Sequence, residues 1–300
     1  MPEVVVAIPT FKRPRGLARL LDSLAKVETT ATIRVLVADN DAEGHEGFDL
    51  CRALNYRWPL TAIIVKERGI APVRNALVAE ALLGDALFIA MLDDDEWPEP
   101  CWLGALLAEQ AKTGADVVQG SILFDFEARP RWADTFDGMS DIRHPSGPTP
   151  MLQGAGNLLI TRGALEKIGA PWFDPAFALS GGEDRDFFQR LKAAGARFAW
   201  SDEAVARGFV PATRTSLTWA LKRAYSIGNS DMRVFLKYGP SLATRCGELV
   251  KVAGALLLTP LLFLLTGFRI DALRRLFRAA GKASALFGSH YNEYAVTHGD

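Results

Sequence analysis

Cysteine and histidine are scarce in this chain, and their scarcity removes several chemistries. The three cysteines, Cys51, Cys101 and Cys246, form no CxxC pair and no metal-finger spacing. Neither a disulfide framework nor a zinc module is expected, and the thiols read as reduced groups of a cytosolic compartment. The four histidines, His45, His144, His290 and His298, are scattered and no GxSxG stretch accompanies them, so a Ser-His-Asp hydrolase lacks its parts. No run interleaves basic with aromatic residues, which speaks against a nucleic-acid partner. There is no internal repeat and no low-complexity tract. The N-terminus opens on VVVAIPT, without a basic region or a cleavage site, so a signal peptide is not expected.

An excess of either charge is also missing, since the net charge is −1. That balance hides an asymmetry. Between Ala212 and Lys282 there are 12 Lys and Arg against 3 acids (Asp231, Glu248, Asp271), a net of +9, so the remainder carries −10. A basic C-terminal third on an acidic body points to an anionic surface, and membrane lipid suits it better than nucleic acid.

Short apolar runs alternate with amphipathic ones. VVVAI (4–8), IRVLVAD (33–39), TAIIV (61–65), DALFIAML (85–92) and ADVVQG (115–120) read as buried strands. Between them, Leu17, Leu20, Leu21 and Leu24 share a helical face. The stretches APVRNALVAEALLG and PCWLGALLAEQAKTG read as helices, the former with Pro72 near its start. Strand–helix alternation with continuously apolar strands predicts an α/β fold, a mainly parallel sheet covered on both faces. Ligands bind such sheets at the carboxyl ends of the strands, where Thr10, Asp39 and Asp93 stand. Residues 125–153, rich in Pro, Gly and Asp, read as a long loop or lid.

The run FIAML ends in Asp93, Asp94, Asp95 and Glu96. Adjacent carboxylates repel, and a counter-charge is needed to hold them there. In an extended segment Asp93 and Asp95 would share a face. Two hard carboxylates suit Mg²⁺ or Mn²⁺, whose shell is completed by water and substrate phosphate. A solvated acidic turn ahead of the next helix is the rival reading.

The ordered set VVVAIPTFKRP, VLVADND, GIAPVRNAL, FIAMLDDDEWP, GAGNLLITRGAL and GGEDRDFFQRL resembles the family 2 glycosyltransferases over about residues 4–225. The resemblance implies a GT-A (Rossmann-like) fold and inverting transfer from a nucleotide-diphosphate sugar. It implies a catalytic domain over 1–225, with a nucleotide half to 120 and an acceptor half from 121. Residues 226–300 would form a helical membrane-associating region. The ending GSHYNEY looks like bacterial members that build exopolysaccharide, capsule or O-antigen on a lipid carrier, which implies a lipid-linked saccharide acceptor and a place at the cytoplasmic face of the inner membrane.

Carried over by motif, Pro9, Thr10 and Arg13 line the nucleotide pocket and Asp39 hydrogen-bonds the base. A strand-end turn in DNDAEG is the other reading of Asp39. Arg68 and Arg74 belong to the loop-plus-helix element, where a helix start also favours anions; a plain surface charge is the alternative for Arg74. Asp93 faces the ribose or donor sugar, Asp94 belongs to the same site, and Asp95 is the principal ligand of Mn²⁺ or Mg²⁺, with Asp93 beside it. Asp184 is the base that takes the acceptor proton, with Glu183 second, although acids at a helix start also serve as caps. Gly154 and Asn157 mark the acceptor loop, with Trp172 and Trp97 as stacking platforms unless they are core. Arg214 and Arg223 close over the diphosphate, or lie on a membrane-facing basic helix. Many relatives carry a histidine after the acidic helix that completes the metal shell. EAVARGFVPATR has none, so Asp95, phosphates and water would hold the metal.

The uncharged run 252–268, interrupted by Thr259 and Pro260, is at the lower limit for spanning a bilayer. Helical apolar spacing follows at Ile270, Leu273, Phe277 and Ala280. A membrane-embedded or interfacial hairpin with both ends cytoplasmic is expected, against a buried core helix as the alternative. Two other functions fit an α/β sheet with carboxylates. A nucleotidyltransferase wants a Gly-rich basic loop after the first strand, and PTFKRPRG has one glycine. A non-catalytic binding protein of the same fold predicts decay of the acidic motifs, and both are intact.

Overall fold

The computed structural model describes residues 3–135, 139–265 and 270–293. Part of the loop at 136–138, the end of the apolar run at 266–268 and His298 lie outside them. The chain order is β1 (Glu3–Thr10), α1 (Pro14–Leu24), β2 (Thr32–Asp39), α2 (Glu46–Ala53), β3 (Leu60–Ile64), α3 (Ile70–Leu82), β4 (Phe88–Met91), β5 (Glu96–Pro98) and α4 (Trp102–Thr113). It continues with β6 (Val117–Phe126), β7 (Gly147–Thr149), β8 (Leu158–Thr161), α5 (Arg162–Ile168), α6 (Glu183–Ala193), β9 (Phe198–Val210), α7 (Leu217–Lys237), α8 (Leu242–Leu265) and α9 (Ile270–Leu286).

One sheet runs β3-β2-β1-β4-β8-β6-β9-β5, with β7 on β9. The four strands at the β3 end are parallel throughout. Along β1, Val4, Val6 and Ile8 pack under α1 and α4, while Val5 and Ala7 pack under α3. Period-2 alternation thus feeds two cores, which is why every residue of the run is apolar. Pro14 fits the first turn of α1, its missing N–H being no loss there. Leu17, Leu20, Leu21 and Leu24 are all buried, each contributing roughly 1.5–3 kcal/mol of transfer energy.

The parallel order stops at β4. β8 enters antiparallel between β4 and β6, and β5 and β7 add to β9 antiparallel. The second half of the sheet is therefore mixed. The stretch read as a lid from 125 is tied down at both ends. β6 runs on to Phe126, Ile122 bridges Ile142, and β7 pairs with β9. Parallel pairing sets Thr10 beside Asp39 and Ala7 beside Met91, so the ends of β1, β2 and β4 open on one edge.

The division expected at 225 falls inside α7, which Ser216 caps and which runs unbroken to Lys237. The helix carries Gly228 without a break and ends ahead of Gly239 and Pro240. α7 and α9 approach closely: a Cβ at Gly228 would stand 2.0 Å from the Arg278 carbonyl oxygen, and one at Gly281 2.0 Å from that of Tyr225.

Candidate active site

The four acids after β4 form a tight turn, because the Glu96 N–H donates to the Asp93 carbonyl at 2.9 Å. The segment is not extended, so the face-sharing argument for Asp93 and Asp95 does not describe it. Asp94 turns back toward β1. It accepts from Thr10 Oγ1 at 3.0 Å, the Phe11 N–H at 3.3 Å and Arg13 Nη1 at 2.9 Å. Asp95 Oδ2 accepts from Arg13 at 2.9 Å and from Arg214 at 3.0 Å. Asp93 Oδ1 accepts from Arg74 Nη2 at 2.9 Å. Three arginines thus supply the counter-charge that the acidic turn requires.

The environments divide these carboxyls. Burial pushes Asp94 up to about 6 against the pull of Arg13. Burial acts on Asp95 too, but Arg13 and Arg214 outweigh it and hold that carboxyl below its usual range. Burial, then Asp93 and Asp95, raise Glu96 well above a normal glutamate. Glu96 sits under the turn against the acceptor loop, where a Cβ at Gly156 would stand 2.5 Å from its Oε1 and displace that carboxyl.

Arg74, itself buried, donates through Nη1 to Glu183 Oε1 at 2.7 Å. One guanidinium therefore joins the aspartate turn to the start of α6, and the surface-charge reading of Arg74 falls away. Glu183 is 3% exposed. Burial and the Asp184 charge lift it to about 7 against Arg74, and its Oε2 is buried with no hydrogen-bond partner among the described residues. Asp184 is half-buried and faces Gly154, where a Cβ would stand 3.8 Å from Asp184 Oδ2. Its one hydrogen bond among the described residues comes from the Arg185 N–H at 2.7 Å.

Pro9, Thr10, Arg13, Arg74, Asp93, Asp94, Asp95, Glu183, Asp184, Gly154 and Arg214 are thus linked by contact or chain adjacency. Arg68 lies over the Phe11 ring, 3.6 Å from its centroid, beside the same crevice. Asp39 ends β2 next to Thr10, but its oxygens accept from the Asp41 and Phe48 N–H groups, both at 2.9 Å. The strand-end turn is what this carboxylate builds.

Four expectations are corrected. Asn157 is fully buried, its Oδ1 accepting from Trp102 Nε1 at 2.6 Å while Nδ2 donates to the carbonyls of Ser121 and Ala204 at 2.8 and 2.9 Å. An amide so committed braces the loop from within and offers an acceptor nothing. Trp172 packs on the core and donates to the Leu165 carbonyl at 3.0 Å. Trp97 stacks on Arg19, 4.8 Å away. Arg223 pairs with Glu293 at 3.4 Å.

Asn40 and Gln119 were not foreseen as supports, and Asp186, one of the acids that open α6, has a supporting part as well. Asn40 ties the end of β2 to the loop before α3, donating to the Val65 and Glu67 carbonyls at 2.9 and 2.7 Å and accepting from the Gly69 N–H at 2.8 Å. Gln119 accepts from the Gln153 N–H at 2.7 Å and so fixes the loop that presents Gly154. Asp186, fully buried, accepts from Tyr238 Oη at 2.8 Å and pairs with Lys237 and Arg190. Gln119 alone of the three carried a signal, a polar residue set in the apolar run VVQGSI; Asn40 and Asp186 stand among other polar residues.

Among the described residues no group of three or more His, Cys, Asp or Glu side chains could hold a metal ion. An ion at Asp95 would need oxygens from elsewhere.

The model described as Glycosyl transferase family 2 matches residues 5–169, over half of the chain. The chain belongs to the family 2 glycosyltransferases. A second model, Glycosyl transferase family group 2, matches 88–287. The Succinoglycan biosynthesis protein ExoM of Rhizobium meliloti (strain 1021) is 34% identical over 234 residues, 76% of this chain and 74% of its own. Glycosyltransferase AglE of Haloferax volcanii is 21% identical over 240 residues, 79% and 75% of the two chains. Crystal structures of S. aureus TarS 1-349 in complex with UDP and with UDP-GlcNAc superpose with TM-scores of 0.54 and 0.53 at 17% and 16% identity, covering 97% of this chain and 93% of that one. The architecture of this glycosyltransferase is accordingly GT-A-like.

Proposed function

We propose that this glycosyltransferase moves a sugar, with inversion, from a nucleotide-diphosphate donor to a hydroxyl of a lipid-linked saccharide during exopolysaccharide assembly at the cytoplasmic face of a membrane. The observation that carries the reading is Arg74, which joins the aspartate turn to Glu183 while Asp184 turns Oδ2 toward Gly154. The nucleotides in the TarS complexes and the name of the ExoM relative support it.

In this mechanism Asp184 accepts the proton of the acceptor hydroxyl as that oxygen bonds to the anomeric carbon. The bond from the anomeric carbon to the diphosphate oxygen breaks, and the electron pair leaves with the nucleotide. Arg13 and Arg214 already stand at the turn, where they offset charge developing on the diphosphate. Glu183, buried and committed through Oε1 to Arg74, holds that guanidinium against the start of α6. Asp95, kept ionised by its arginines, and Asp93 are hard-oxygen donors that fit Mg²⁺ or Mn²⁺ with the remaining ligands from phosphate and water. Such an ion supplies charge neutralisation to the departing diphosphate.

Calorimetric titration with UDP, GDP and dTDP, each with and without Mn²⁺, tests the donor site. One nucleotide should bind, more tightly with Mn²⁺, and Asp95→Ala should remove the metal effect. Equal affinity with and without Mn²⁺ in the wild type would remove the metal from the reading, and binding of none would remove the donor.

A further inference from the structure

Among the described residues α8 is the one helix long and apolar enough to cross a membrane, and 11% of its most apolar window is buried. Its neighbour argues against a crossing. Four residues separate α8 from α9, and Lys282 near the end of α9 reaches Glu248 near the start of α8 at 2.5 Å. The two helices are in contact and run antiparallel. With the two helices antiparallel from that pair, Arg278, Arg275 and Arg274 fall in the length of α9 that runs beside the apolar part of α8. If α8 spanned, α9 would carry these guanidiniums and Asp271 into the hydrocarbon, where charges are costly. Pro260 also interrupts the hydrogen-bond ladder in the middle of the apolar stretch.

Most of the exposed apolar side chains of α8 fall on one broad stripe, with Leu262, 48% exposed, at its edge. Leu257, Leu258, Leu261, Leu264 and Leu265 follow i, i+1, i+4, i+7, i+8 and are 77%, 59%, 53%, 63% and 72% exposed. Val252 and Thr259 lie on the opposite side and are buried. Beside the stripe, Lys251 and Arg275 are 78% and 65% exposed, within a region whose net charge is +9.

We infer that α8 lies along the surface of an anionic phospholipid leaflet, its leucine stripe sunk into the acyl boundary and its cations among the headgroups. This rests on the membrane association proposed above. It adds that the chain stays on one side of the bilayer, with the acidic crevice facing the compartment that holds the soluble donor.

The test uses the full chain with Cys101 and Cys246 replaced by serine. Single cysteines at Val250, Leu258, Leu261 and Leu265 carry a nitroxide label. Flotation with phosphatidylglycerol–phosphatidylcholine vesicles should exceed flotation with phosphatidylcholine alone by about tenfold. The four labels should then report one shallow depth. A depth that increases steadily from 250 to 265 would overturn the inference and leave membrane association standing. Failure to float would overturn both. Shielding of the labels without lipid, in step with dimer formation, would give the stripe to a second copy and overturn the inference as well. Leu258→Glu with Leu261→Glu, both exposed, should abolish flotation without changing the circular dichroism spectrum.

Discussion

Two nitrogens of the Arg74 guanidinium reach Asp93 and Glu183, and the consequences divide two neighbouring carboxyls. Asp184→Asn should leave nucleotide affinity within about twofold and lower turnover by at least about a hundredfold, because only the proton acceptor is lost; single-turnover transfer assays read this, and near-normal turnover would take the role from Asp184. Glu183 tells on stability. Its carboxyl is lifted from 4.5 to about 7, so the folded protein keeps a proton that the unfolded chain releases. The stabilisation is complete below pH 4.5 and gone once pH rises past about 7. Urea unfolding should show the wild type losing up to about 3 kcal/mol relative to Glu183→Gln between those limits. Parallel pH dependences would mean that Glu183 is ionised throughout. The acids and arginines of the site were legible because each sits at a strand end or helix start. Asn157 was not, since a sequence does not reveal whether a polar group's bonding capacity is already spent inside the fold.

At the scale of elements, the start of α6 rests on α7. A Cβ at Gly182 would stand 3.0 Å from that of Ser230, Arg233 donates to Ser180, and Tyr238 and Lys237 hold Asp186. The helix carrying Asp184 is thereby aimed by the chain just before α8. Tyr238→Phe removes the phenol's hydrogen bonding to Asp186 from that junction and no apolar contact. We expect turnover to fall about tenfold with nucleotide affinity within twofold and a melting temperature within about 3 °C, since a small misplacement of a base is felt in the chemical step. Unchanged turnover would leave Asp186 with a purely structural role. Periodicity exposed α1, α3 and the parallel strands because each buries a regular face. It did not expose the antiparallel entry of β8, which depends on where the preceding loop delivers the chain, nor the continuation of β6 to Phe126 through half-exposed positions.

The whole molecule is less divisible than its charge suggests. Composition marks a basic, apolar C-terminal third, and that contrast was legible as a separate region beginning at 226. The structure instead drives α7 across the boundary and closes α9 on it at glycine distance. Asp231 on α7 pairs with Arg278 of α9 at 2.8 Å and with Arg185, the neighbour of Asp184. If residues 226–300 were only an anchor, truncation before Lys251 would release the protein from vesicles and leave its stability alone. The packing predicts both release and damage. Removing α9 uncovers Gly228, Asn229 and Met232 on α7 and strands Asp231 with one of its two cations. A loss on the order of 3 kcal/mol is expected from such exposure and unpairing, which for a chain of this size lowers the melting temperature by roughly 6–12 °C. Scanning calorimetry of the full and truncated chains decides between the two descriptions. An unchanged melting temperature would restore the anchor as a separable appendage, and a lowered one would make the membrane-facing helices part of the body that aims the catalytic carboxylates.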